Sequence, residues 1–388
     1  MFRPLPPGIL RGVHRVLFSY GQVISHLGVS PIMAIKINPA RFSQFGPADG
    51  SIFCLITNQE MVQEFEIVKD APYAEYRTII LKPGDDFEKM LADETVPQNS
   101  HSLVISPYRF FESPSEEALG PRRKLMGMAC NSTPTDLGII RHFLGVIERT
   151  SAREQAEFSD RFFELAESTD HLVYVDERHG TRAVLDHLAD DLVWNQQAGP
   201  LEWGEQQIVP SGEISVLPMQ IVEFDESLHL PLEGSIAFRG FPILHNGTPS
   251  FLRKDQARLQ GKLAGLEHEA VVAEVRKGAI TSLRPFRPAG APVADVFEAM
   301  FEIDSRYTLV WEIGHALNTS LDIVRGNHAM NEVYGGDQGC LHWGLGLTPF
   351  TQYHLDIISP DTTVYTESGE VVLGNKGGAP SVRVAPAA

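Results

Sequence analysis

The chain has 388 residues, of which 43% are hydrophobic and 21% charged, and its formal net charge is −18. That length exceeds one ordinary hydrophobic core, so two domains are expected. The acidity argues against nucleic acid and anionic membrane as partners. Three cysteines, Cys54, Cys130 and Cys340, are too few and too odd in number for a disulfide framework, and they fit a reducing compartment. The first twenty residues mix Arg3, Arg11, His14 and Arg15 with prolines and lack the apolar run of a signal peptide. No stretch reaches the ~20 apolar residues of a membrane span. The expectation is a soluble, cytoplasmic protein.

In chain order, residues 51–56, 78–81 and 102–106 are short apolar runs that read as buried strands, the last two stopped by prolines. Residues 87–92 read as a helix. Residues 136–148 read as another, preceded by a segment rich in capping residues in which Thr133 and Thr135 are the candidate caps. Residues 152–168 form an amphipathic pattern, and 171–175 the next strand. This alternation predicts a parallel sheet with crossover helices. Near residue 200 the texture shifts to short strands, glycine and proline. Residues 214–217, 234–238, 270–275 and 308–312 are strand candidates, 284–292 a proline-dense loop and 293–301 a helix. The predicted fold is α/β with two domains, 1–200 carrying a parallel sheet and 201–388 a mixed sheet. The tail from Gly374 is expected to fray.

Phosphate-binding, dinucleotide-binding, His-Glu-x-x-His, Cys-x-x-Cys and Gly-x-Ser-x-Gly signatures are all missing. What remains is a set of acids and histidines flanked by glycines. Glu213 follows Pro210-Ser-Gly. Glu312 opens Glu-Ile-Gly-His315. Glu332 ends a stretch that begins Gly326-Asn-His328. His342 lies in Cys340-Leu-His-Trp-Gly-Leu-Gly346, and His354 and Asp356 in Tyr353-His-Leu-Asp. Imidazoles with carboxylates are the donors that Zn²⁺, Mn²⁺ and Fe²⁺ prefer. His354 and Asp356 are alternate residues, so a strand would point both the same way.

In this order the segments resemble the metallo-aminopeptidases of the aminopeptidase T type and their relatives, the iron-dependent 2,5-dihydroxypyridine ring-cleaving dioxygenases. The resemblance covers about residues 171–374 and implies a two-domain aminopeptidase T-like fold with a metal-site cleft. As a peptidase, the chain would use Glu213, Glu312, His342, His354 and Asp356 as ligands for one or two divalent ions (Zn, Mn or Fe). Metal-activated water would cleave a peptide or small amide, with Glu312 or Glu332 as general base. As a dioxygenase, His342, His354 and Asp356 would hold a single Fe(II). His315, His328 and Tyr353 are candidate substrate-binding residues, and a homodimer is expected from the family.

The chain departs from the family pattern at three places. The interval from His342 to His354 is shorter, Ile357 stands where the family has glycine, and Pro349 stands near where the peptidases place a tyrosine. These departures support a third alternative. In it the protein holds no metal and binds a peptide without catalysis, for instance presenting a precursor peptide in a biosynthetic pathway.

Overall fold

In the computed structural model, residues 34–219, 229–347, 350–376 and 382–386 are described. The first twenty residues, read above for a signal peptide, lie outside them, as does Pro349. Residues Ile35–Ala388 form one compact unit. It is an α/β structure of three large sheets, with a short parallel pair, β1 (Ile35–Ile37) and β3 (Phe65–Ile67), at its start.

The first large sheet is parallel, as the alternating apolar runs predict. Its order is β10-β6-β5-β2-β4, where β2 is Ile52–Asn58, β4 Glu75–Leu81, β5 Ser100–Ile105, β6 Arg123–Met128 and β10 Gln206–Ile208. Both faces are covered, which is why β5 is fully buried and, apart from His101 with its 2.9 Å bond to Tyr73 Oη, apolar or small. On one face lie the short helices α1 (Phe87–Ala92) and α2 (Glu116–Leu119), packed on Cys54, Ile56 and Val104. On the other lies α3 (Leu137–Arg149), whose buried residues Ile139, Ile140, Phe143, Leu144, Val146 and Ile147 form one apolar stripe. Its cap is Asp136, whose Oδ1 accepts from the amide of Ile139 at 3.0 Å, not Thr133 or Thr135. Thr133 instead accepts from the amide of Ala329.

The strand over 171–175, expected in the parallel sheet, pairs antiparallel elsewhere. It is β7 (Leu172–Asp176) in a seven-stranded sheet of order β15-β14-β12-β8-β7-β19-β20. The others are β8 (Thr181–Leu185), β12 (Leu232–Phe238), β14 (Val271–Arg276), β15 (Ala279–Pro285), β19 (Thr363–Thr366) and β20 (Val371–Leu373). A six-stranded sheet follows the order β13-β18-β17-β16-β11-β9. Its members are β9 (Leu192–Gln197), β11 (Glu213–Pro218), β13 (Phe241–Asn246), β16 (Val310–Ala316), β17 (Cys340–Leu345) and β18 (Tyr353–Ser359). Among the described residues every neighbour in these two sheets is antiparallel, so the sheet expected to be mixed is not.

These two sheets share one core. Tyr174 of β7, Phe238 of β12, Ile313 of β16, Trp343 of β17 and Leu355 of β18 meet there with Phe162 of α4 (Ala152–Glu167) and Phe297 of α6 (Ala291–Ile303). The opposite face of the six-stranded sheet looks toward the parallel-sheet core, where Ile243, Cys340 and Ile358 pack with α3. Helix α5 (Arg253–Leu263) lies along β13. The tail does not fray where it is described. Val384 bridges to Ile323, and Arg383 pairs with Asp322 and Asp337 at 3.0 and 2.9 Å.

Phe162 is fully buried against Phe163, Trp194 and the ring of His315. Phe162→Ala should therefore destabilise the protein by about 3–5 kcal/mol, read as a lowered midpoint in urea with an unchanged slope.

Candidate metal centre

Strand alternation decides which side chains meet. On the face of the six-stranded sheet turned toward α3, Glu213 comes from β11, Glu312 and Gly314 from β16, His342 and Gly344 from β17, His354 and Asp356 from β18, and His245 from β13. Glu332 reaches them from the 3₁₀ turn Ala329–Val333. A bulge between Val310 and Glu312 shifts the register of β16. Bulges of this kind re-aim a side chain, and here the residue after it is Glu312.

The seven groups form a chain of short contacts. Nε2 of His342 lies 3.4 Å from Glu213 Oε1 and 3.9 Å from Asp356 Oδ1. Nε2 of His354 lies 3.0 Å from Asp356 Oδ1 and 3.3 Å from Glu312 Oε2. Nε2 of His245 lies 2.9 Å from Asp356 Oδ2 and 3.2 Å from Glu332 Oε2. Three subsets bring their donor atoms within 4.8 Å of one another: Glu213 with Glu312 and His342, Glu312 with His354 and Asp356, and His245 with Glu332 and Asp356. Asp356 and Glu312 each belong to two.

Closeness is not matched by hydrogen bonding. His245 Nε2 and Asp356 Oδ1 are buried and lie at ion-pair distance from their neighbours, yet neither is aligned for a hydrogen bond, and His342 Nδ1 has no partner. Buried polar atoms left so cost free energy unless something else satisfies them. A cation among the donors would do so. Two of the three remote ring nitrogens, those of His354 and His245, are anchored, as in metal-ligating histidines. His354 Nδ1 donates to the carbonyl of Gly346 at 2.6 Å, and His245 Nδ1 lies 2.8 Å from Ser132 Oγ.

Two glycines make the space. A Cβ on Gly314 would stand 2.0 Å from the His342 ring, and one on Gly344 would stand 2.7 Å from the Glu312 side chain and 3.3 Å from Asp356 Oδ1. Any other residue at either position would drive a donor from its place.

Protonation answers the crowding of charge. Burial, then the nearby carboxylates Glu312, Glu332 and Asp356, hold the Glu213 carboxyl well above its usual range. Burial opposes charge on His245, but Asp356 and Glu332 outweigh it and raise the imidazole to about 9. His354 is raised in the same way by Asp356 and Glu312. Burial also opposes the charge of Asp356, yet the facing imidazoles hold it well below the ordinary carboxylate range. A cation entering the cluster would have to displace the protons that Glu213, His245 and His354 hold more tightly than usual.

The five sequence-predicted ligands, Glu213, Glu312, His342, His354 and Asp356, are brought together, and Glu332 joins them. The predicted substrate-binding residues are not. His315 sits on the opposite face of β16, fully buried, its ring nitrogens taken by Tyr174 Oη and the carbonyl of Ile214 at 3.1 and 3.0 Å. Burial and the neighbouring His342 push it down to about 3. Tyr353 likewise points into the sheet–sheet core, with its hydroxyl on the carbonyl of Leu252. His328 falls in none of the ligand subsets. His245 was not foreseen. Its segment offers a single histidine without a nearby acid, and only the pairing of β13 with β18 sets it opposite His354.

No protein family matches this sequence, nor does any curated protein. Among solved structures the chain is similar to a 2,5-dihydroxypyridine dioxygenase from Pseudomonas putida KT2440, at 15% identity over 88% of this chain and 93% of that one, with a TM-score of 0.45.

Two outcomes follow from the geometry. Gly314→Ala should push the His342 ring aside and weaken Zn²⁺ or Mn²⁺ binding at least tenfold, at a stability cost of about 1–3 kcal/mol, measured by metal titration and thermal unfolding. In the metal-free protein His245 holds a proton more tightly folded than unfolded. The stability it contributes is fully present below about pH 6.5 and lost as pH rises through about 9. The melting temperature in chelator should fall across that window, and saturating metal should abolish the fall.

Proposed function

We propose that this chain is a metal-dependent hydrolase that cleaves a peptide or small amide bond, on a two-domain arrangement of the aminopeptidase T type. The observation that carries the reading is the position of Asp356. Its Oδ1 faces His354 and its Oδ2 faces His245, so one buried carboxylate serves two adjoining donor sets. Four carboxylates and three imidazoles are more donors than one divalent ion needs, and a carboxylate shared between two sets suits a pair of ions.

Divalent ions held there supply a Lewis acid that polarises a carbonyl and lowers the pKa of water. The chain's own residues do the rest. Glu213, Glu312, His342, His354 and Asp356 hold and space the ions, and His245 joins this set. The carbonyl of Gly346 and the hydroxyl of Ser132 fix the orientation of His354 and His245. Glu332, on a turn and not in a strand, is the carboxylate placed to accept a proton from water and return it to the leaving amine. The glycines at 314 and 344 keep the middle of the cradle open.

A second reading, an Fe(II) ring-cleaving dioxygenase, would use His342, His354 and Asp356, and is supported by the way both imidazoles approach one oxygen of Asp356, at 3.9 and 3.0 Å from Oδ1.

Metal content and turnover separate these readings. Protein purified without chelator should carry one or two equivalents of zinc or manganese. It should hydrolyse L-leucine p-nitroanilide, lose that activity to chelator and regain it with metal. His354→Ala should lose metal and activity together while keeping its circular dichroism. Iron with oxygen consumption would transfer the assignment to the oxygenase. Absence of metal both as purified and after loading would sink both enzyme readings and leave a peptide-binding protein.

A further inference from the structure

Beside the cluster lies a cavity of about 240 Å³. It opens where β5 and β6 of the parallel sheet end, at Ser106 and Asn131, the edge at which open parallel sheets place their ligands. Phe110, Phe111, Met128 and Ile208 give it apolar walls. Among the described residues no charged side chain lines it, and its polar groups are carboxamides and hydroxyls. Phe110 is 65% exposed and Ile208 39%, an exposed apolar rim of the kind that marks a binding site.

Two links tie the cavity to the metal cluster. Ser132 lines it, and the Ser132 hydroxyl lies 2.8 Å from His245 Nδ1, so one imidazole ring separates the wall from Asp356. Gln197 also lines it and pairs with Glu213 across β9 and β11, which puts both side chains on the same face of the sheet. The wall is built in advance. Arg253 donates to the carbonyls of Asn131 and Ser132, and Gln256 Nε2 donates to the latter at 2.9 Å. On the cavity floor Gly127 leaves room for the Phe111 ring, which a Cβ would approach to 3.3 Å.

We propose that this cavity is the subsite for an uncharged apolar side chain, of leucine or phenylalanine size, carried by the amide that the cluster cleaves. The inference rests on the hydrolase reading for the second half of that statement. The volume is below the roughly 300–1,000 Å³ of pockets that take drug-sized ligands, which fits one side chain and not a whole oligopeptide. A charged side chain would enter with no counter-charge and lose its hydration.

The test is binding, measured calorimetrically on the full chain both metal-loaded and chelator-treated. N-acetyl-L-leucinamide and N-acetyl-L-phenylalaninamide should bind at least tenfold more tightly than the glycine and aspartate counterparts. Gly127→Val, which fills the floor and presses on Phe111, should erase that preference with metal content unchanged and the melting temperature somewhat lowered. Ile208→Ser, on the exposed rim, should weaken leucinamide binding several-fold without endangering the fold. Equal affinity for all four amides, or full affinity in both variants, overturns the subsite. If the preference persists in protein that takes up no metal, the hydrolase reading fails and the subsite stands. If metal is bound and amides are hydrolysed without side-chain preference, the subsite fails and the hydrolase stands.

Discussion

The structure turns on one buried carboxylate. Asp356 is 2% exposed on a central strand of the six-stranded sheet, and its charge persists there only because imidazoles face both of its oxygens. An isolated carboxylate in such a place would protonate. Everything near it is arranged around that charge. Glycine stands opposite it on β17, a bulge delivers Glu312, and burial with the carboxylates Glu312, Glu332 and Asp356 holds the Glu213 carboxyl above its usual range. The stability of a packed antiparallel sheet is thus used to hold groups that repel or mismatch when nothing lies between them, as functional sites commonly are.

Much of this could be read from the sequence, for a definite reason. The parallel sheet was legible because strands buried on both faces become continuous apolar runs, as at 51–56 and 102–106. The clustered acids and histidines were legible because they recur beside glycines, with His354 and Asp356 at alternate positions of one strand. The remainder depended on pairing. Residues 171–175 have the same apolar texture as the parallel strands, and only their partners β8 and β19 place them elsewhere. His315 and Tyr353 lie within three residues of true cluster members, yet strand parity turns both to the far face. His245 is silent in the sequence, since its role comes from register against His354 across more than a hundred residues.

The same geometry explains how the two parts of the chain depend on each other. Ser132 belongs to the segment after the last long parallel strand, and His245 to the edge of the antiparallel sheet, and their contact is the seam between binding cavity and metal cluster. Arg253 and Gln256 tie the seam from the side of α5. A change in the parallel-sheet region thus reaches the cluster through an imidazole whose orientation it sets, without touching any carboxylate.

The scattering of the donors along the chain has a consequence for how the protein is made. Glu213, His245, Glu312 and Asp356 come from four different strands, and the cluster is complete only when β11, β13, β16, β17 and β18 have found their order. Contacts so distant in sequence form late, because loop closure must precede them. A nascent chain leaving the ribosome offers one local pair, His354 with Asp356, and lacks the other donors until the sheet has formed. An ion held there would meet a preformed, glycine-lined cradle, and its selection would be governed by the shape of the finished sheet more than by whichever cation was most abundant during synthesis.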